Sequence, residues 1–141
     1  MDAITSATAE CFDALMQVRD HQGPLPSPEA VHQQVRGLIE GVRERLREDN
    51  VPDRDATDIV YALVALTDEI ALSRPEPMRS YWMRAALQIS YFNENRAGEG
   101  FFTRLQQLRG DTRRTDVLRV YYLCLLFGFQ GRYAVQGGDV E

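Results

Sequence analysis

Apolar and polar positions recur at helical spacing along most of the chain, and one stretch departs from that pattern. Between Ile59 and Leu72 only Thr67, Asp68 and Glu69 are polar. A surface helix carries an apolar stripe and a polar back, whereas one that is apolar nearly all round is buried on most sides. The stretch is too short to cross a bilayer, which takes about 20 apolar residues, so it predicts a core helix wrapped by others. At about 100° per residue, Ile59, Leu63, Leu66 and Ile70 share one face. Glu69 falls on the shoulder of that face. Asp68 points to the opposite side, beside Tyr61, Val64 and Leu72. A buried carboxylate without a partner is costly, so each should meet an arginine, a helix N-terminus or solvent.

The rest of the chain supplies the wrapping. Residues 3–21 read as a first helix, with Ile4, Cys11, Phe12, Leu15 and Val18 inward, ended by Gly23-Pro24-Leu25-Pro26. Ser27-Pro28-Glu29 gives an N-cap, a proline at the first helical position and an acid in the first turn. The helix that follows runs to about Asn50, with an apolar stripe of Val31, Val35, Leu38, Val42 and Leu46 and charges on its wet face. Asp53 or Asp55 is positioned to cap the central helix, and Pro75 and Pro77 forbid its continuation past about Ser73. One helix is expected from Arg79 or Ser80 to Phe92, with Trp82, Ala86 and Ile89 on a common face. A polar loop, 93–98, leads into a short helix from Glu99 that stops at Gly110.

Thr115 or Asp116 opens the last strong helix, apolar on all sides but one and ended by Gly128. It reads as a second core helix, packed on the first. Gly128 and Gly131, three apart among aromatics, predict a tight turn where backbone approaches backbone. Arg132 emerges from that turn as the candidate partner of Asp68 or Glu69, since a bidentate arginine–carboxylate pair satisfies both charges. Residues 136–141 read as linker. There is no convincing strand alternation and no repeat, so the fold class is all-α, six to eight helices with short antiparallel connections.

Composition narrows the chemistry. All 16 basic residues are arginine, which excludes Schiff-base lysines and a P-loop. Cys11 and Cys124 lack motif spacing and sit in apolar helical stretches, which points to buried free thiols rather than a disulfide. The N-terminus lacks a signal-peptide pattern. His21 and His32 read as solvated surface, and no His/Cys/Asp/Glu cluster has metal-ligand spacing; no cofactor is expected. A net charge of −5 argues against nucleic acid as a partner, despite Arg104, Arg109, Arg113, Arg114 and Arg119, which Asp111 and Asp116 interrupt. A small helical enzyme using Asp68 and Glu69 as acid and base is the alternative function. Adjacent helical residues diverge by about 100°, poor geometry for flanking one bond.

Four stretches carry a family resemblance: Ala65-Leu66-Thr67-Asp68-Glu69, Trp82 after its proline break, Ala97-Gly98-Glu99-Gly100-Phe101-Phe102-Thr103-Arg104-Leu105, and Tyr121 to Tyr133 with its Gly-Phe-Gln-Gly-Arg-Tyr ending. Over about residues 55–135 the chain resembles the cytoplasmic domain of the TssL (DotU/IcmH-like) family of type VI secretion, departing from the usual pattern at Gly100. The resemblance implies a structural role and a hook-shaped domain of two small helical bundles over residues 1–135. It implies an inner-membrane anchor helix following the domain, which this chain does not contain, so that the chain resembles a soluble fragment. Some members carry a peptidoglycan-binding domain, absent here. It implies a TssM-like inner-membrane partner, TssK-like and TssE-like baseplate components, and weak self-association at most. Asp68, Glu69, Trp82 and Glu99 are the candidate partner-binding residues, around a cleft between the bundles rimmed by loop 93–100; the alternative is that Asp68, Glu69 and Arg132 only hold the fold. Gly128, Gly131 and Arg132 are the candidate structural residues.

Overall fold

The computed structural model describes residues 2–131. Among them are seven α-helices and no strand: α1 (Ala3–Asp20), α2 (Pro28–Glu48), α3 (Asp53–Leu72), α4 (Met78–Ala85), α5 (Leu87–Phe92), α6 (Ala97–Arg109) and α7 (Thr115–Leu126), with a 3-10 turn at Thr112–Arg114 before α7. Five of the helices run to 12 residues or more. No helix among the described residues is long and apolar enough to cross a membrane.

The central helix is the one the pattern singled out. From Ile59 to Leu72 every residue of α3 is buried except Glu69, and Tyr61, Thr67 and Asp68 are buried with the rest. Helix α3 touches each of the other six α-helices, which is why it needs no polar back. Helix α7 lies against it: Tyr121 Oη donates to the Asp58 carbonyl at 2.7 Å and Cys124 Sγ approaches the Ala62 carbonyl at 3.8 Å.

Local chemistry sets the ends. Asp2 caps α1 through the Thr5 N–H at 2.8 Å, and Ser27 caps α2 through the Ala30 N–H at 3.1 Å with Pro28 in the first turn. Asn50 and Asn93 take the left-handed conformation at turns, which asparagine tolerates better than most residues. The Glu76–Pro77 peptide is cis.

Several expectations need correction. The single helix from Ser80 to Phe92 is two, divided at Ala86, whose ψ of 140° is extended. The division turns Ile89 out to 37% exposure while Trp82 and Ala86 stay buried. Asp53 and Asp55 make no side-chain cap on α3, where Pro52 holds the N-cap position. In α2, Ile39 rather than Leu38 completes the buried stripe. Helix α6 begins at Ala97, ahead of Glu99. Helix α7 is more open than expected: Leu126 is 79% and Tyr122 43% exposed. His32 is half-buried rather than solvated; its Nε2 lies 2.8 Å from the Ala85 carbonyl and its ring stands against Trp82. Residues 132–141, including Arg132 and the tail read as linker, lie outside the described residues.

Candidate functional site

Asp68 is the polar centre of the molecule. It is 1% exposed, on the side of α3 that faces α4 and α5. Four N–H groups converge on its carboxylate. Trp82 Nε1 donates to Oδ1 at 2.8 Å and the Leu87 backbone N–H to the same atom at 2.8 Å. The Gln88 backbone N–H and side-chain Nε2 donate to Oδ2 at 2.9 and 3.0 Å. Both backbone donors belong to the first turn of α5, whose N–H groups have no partner within the helix. The expectation that Asp68 meets an arginine or a helix N-terminus thus resolves to the helix N-terminus. Burial pushes the Asp68 carboxyl up, and the Gln88 and Leu87 amides, the Trp82 indole and the Gln88 side chain pull it back. Gln88 extends the network, since its Oε1 accepts the Ala97 N–H at 2.9 Å. One carboxylate therefore ties α3 to α4 and α5, and through Gln88 to the start of α6.

Of the residues expected at a partner surface, Asp68 and Trp82 offer a partner no accessible group, with exposures of 1% and 0%. Glu69 is half-buried and accepts the Gln130 N–H at 2.7 Å. Glu99 projects outward, with Arg96 at 3.7 Å. The tight approach expected of the glycine pair occurs between Gly131 and Gly98: a Cβ added to Gly98 would lie 2.9 Å from the Gly131 carbonyl oxygen. Gly128 and Gly131 both have positive φ, 104° and 72°, where an L side chain is strained. Segment 128–131 thus links Glu69 at one end of α3 to Gly98 at the start of α6.

A second cluster was not visible in the sequence. Tyr61 Oη donates to Glu94 Oε1 at 2.5 Å, and the Arg104 guanidinium lies 3.6 Å from the Tyr61 ring centroid. A Cβ at Gly100 would sit 1.8 Å from the Tyr61 hydroxyl oxygen, so the place of a side chain at 100 is taken by the tyrosine. The signal was a glycine inside a helical pattern, where glycine is disfavoured unless packing demands it.

Three of the five clustered arginines pair with carboxylates on other segments, whereas Arg109 and Arg113 are exposed. Arg114 is 7% exposed and bonds Asp55 at 2.7 Å and Asp58 at 2.5 Å. Arg104 reaches Asp58 at 3.1 Å, and Arg119 reaches Asp2 at 2.8 Å. Cys11 and Cys124 are free and buried, and burial raises the Cys11 thiol to about 12, far from a reactive thiolate. No metal-holding group of His, Cys, Asp or Glu occurs among the described residues. An acid–base pair at Asp68 and Glu69 fails at Asp68, which is buried and accepts from four protein N–H groups.

A family model described as type VI secretion system protein DotU matches residues 3–141. Among solved structures, the cytoplasmic domain of TssL from Acinetobacter baumannii is similar at 27% identity with a TM-score of 0.84, over 97% of this chain and 88% of that one. SciP/TssL from enteroaggregative Escherichia coli 042 shares the fold at 24% identity and a TM-score of 0.83, over 100% of this chain and 82% of that one. No curated protein matches. The match runs across nearly the whole sequence, and the chain, similar to the cytoplasmic domain of TssL, belongs to the DotU/TssL family of type VI secretion, a structural component and not an enzyme.

Proposed function

We propose that this domain stands on the cytoplasmic face of the bacterial inner membrane, anchored through a segment beyond it. There it joins a TssM-like membrane partner to TssK-like and TssE-like baseplate components. Helix α3 is shared between α1–α2 on one side and α6–α7 on another, which supports the hook of two small bundles. The observation that carries the docking reading is the junction at Gly98 and Gly131. Segment 128–131 holds Glu69 through the Gln130 amide and abuts the residue before Glu99. Glu69 and Glu99 therefore flank one backbone-to-backbone contact, a surface of defined shape with two carboxylates. Asp68 and Trp82 support this surface from beneath through Gln88 and Ala97.

The test is a paired measurement on single alanine variants of Asp68, Glu69 and Glu99: thermal unfolding, and pull-down of the TssM-like and baseplate partners. Glu69→Ala and Glu99→Ala are expected to lose binding with little change in melting, whereas Asp68→Ala loses melting temperature first. Full binding by both surface variants would remove this face from the docking account.

A further inference from the structure

The seam between α1 and α7 lies apart from that junction. The two helices are clasped at both ends: Arg119 Nη1 meets Asp2 Oδ2 at 2.8 Å, and Arg19 Nη1 donates to the Phe127 carbonyl at 2.6 Å. Between the clasps runs a groove of about 370 Å³, with Ala9, Phe12 and Met16 on one wall and Leu123 and Phe127 on the other. The Phe12 and Phe127 rings meet across it, 5.2 Å between centroids. Thr8 also lines the groove, but its hydroxyl is spent on the Ile4 carbonyl at 2.9 Å, so the walls offer mainly apolar surface. Tyr122 and Leu126, 43% and 79% exposed, extend that surface along the outside of α7.

The rim of the groove is acidic. Asp13 lines it and Glu10 stands three residues earlier on α1, both exposed. Neither meets an arginine among the described residues; Asp13 accepts only the Gln17 amide, at 3.3 Å. Asp2 and Asp20 mark the two ends, each already paired with an arginine. That charge decides between occupants. A second copy of the chain, itself at −5, would bring the same carboxylates to the contact, and like charges across an interface are costly. Anionic headgroups of a membrane surface would oppose the rim in the same way. A cationic amphipathic helix meets both features at once, since such a helix lays an apolar stripe into a groove through anchors at i, i+3, i+4 and i+7. From Thr5 to Met16 the α1 wall is about 16 Å long, room for roughly three turns. The clasps fix the walls in advance, which lowers the ordering cost of binding. We infer that this groove receives an amphipathic helix of a partner polypeptide, its leucine-like stripe between Phe12, Met16 and Leu123 and its lysines or arginines along Glu10 and Asp13. The groove shares no residue with the Glu69–Glu99 face, so either can fail alone.

The probe is an acetylated, amidated Lys-Leu-Ala-Lys-Leu-Leu-Ala-Lys-Leu-Ala-Lys-Lys-Leu peptide, titrated into the ¹⁵N-labelled chain. Two counterparts accompany it: one with glutamate for every lysine, and one of the same composition with its leucines spread round the helix. The expected result is a saturable shift of the Ala9, Phe12 and Leu123 amides, with affinity about tenfold weaker for either counterpart. Ala9 is exposed in the groove wall, so Ala9→Arg fills the groove with a cation and is expected to weaken the lysine peptide about tenfold or more at unchanged melting temperature. The inference is overturned by no saturable shift, by equal response to either counterpart, or by shifts that map to other helices. Movement of the same amides on concentrating the chain alone would give the groove to a second copy, and on adding phosphatidylglycerol vesicles to a membrane; each overturns it as well. The peptide comparison is made on the unaltered protein, so it stands whether or not the Ala9 variant folds.

Discussion

Asp68→Asn would replace one acceptor oxygen by an NH2 group where four N–H donors already converge. At least one donor would then face another donor. The expected loss is about 2 kcal/mol or more, since an unsatisfied buried polar group costs about 1–3 kcal/mol. Asp68→Ala leaves all four donors unmatched and is expected to cost about 3–5 kcal/mol. Chemical denaturation measures both, and an asparagine variant as stable as the parent would contradict the cradle. Gly100→Ala forces a methyl onto the Tyr61 hydroxyl, with an expected loss of about 1–3 kcal/mol from overpacking. Tyr61→Phe in the same chain should recover part of it, so a double-mutant cycle with no coupling would show that the two positions do not compete. Asp2 gives a pH prediction. The Thr5 amide holds its carboxyl below 3.8, so its contribution to α1 is present above that value and fades as pH falls through the lower folded-state value. Amide exchange at the start of α1 should quicken in that acid window ahead of the α3 core.

At the scale of elements, most helices could be read from periodicity because burial follows it: the stripe of α2, the all-round apolar face of α3 and the Ser27-Pro28 start each have a local cause. The break at Ala86 was not legible. Ala85-Ala86-Leu87-Gln88 consists of good helix formers, and no local signal stops a helix there. The interruption goes with a tertiary contact, the Asp68 carboxylate bound to the amides of Leu87 and Gln88. The sequence pointed to Asp68 as anomalous, and nothing in it marked Gln88 as the partner. Arg114 was hidden likewise, inside the arginine run that Asp111 and Asp116 interrupt, although its partners Asp55 and Asp58 lie on the first turns of α3. Gly98→Ala belongs to this scale too. Its methyl would press on the Gly131 carbonyl, which is backbone and cannot rotate away. Segment 128–131 is therefore expected to shift, and the Gln130 amide, now bonded to Glu69, to exchange faster. Unchanged exchange at Gln130 would mean that the glycine contact does not hold the segment.

For the whole molecule, the distribution of polar groups separates scaffold from surface. Of the buried ones, Asp68, Gln88 and Arg114 join elements through their hydrogen bonds, while Thr8 and Thr67 bond carbonyls of their own helices. That is the arrangement expected of a domain that must hold a shape under assembly rather than turn over a substrate. In the docking we propose, Glu69 and Glu99 at the junction between elements make the contact, and changes there should alter binding without altering stability. The most direct measurement is the affinity of the Glu69→Ala/Glu99→Ala double variant for a TssK-like baseplate partner, taken with its melting temperature. The account predicts affinity weakened about tenfold or more, equivalent to about 1.4 kcal/mol, at a nearly unchanged melting temperature. Parental affinity at parental stability would contradict it.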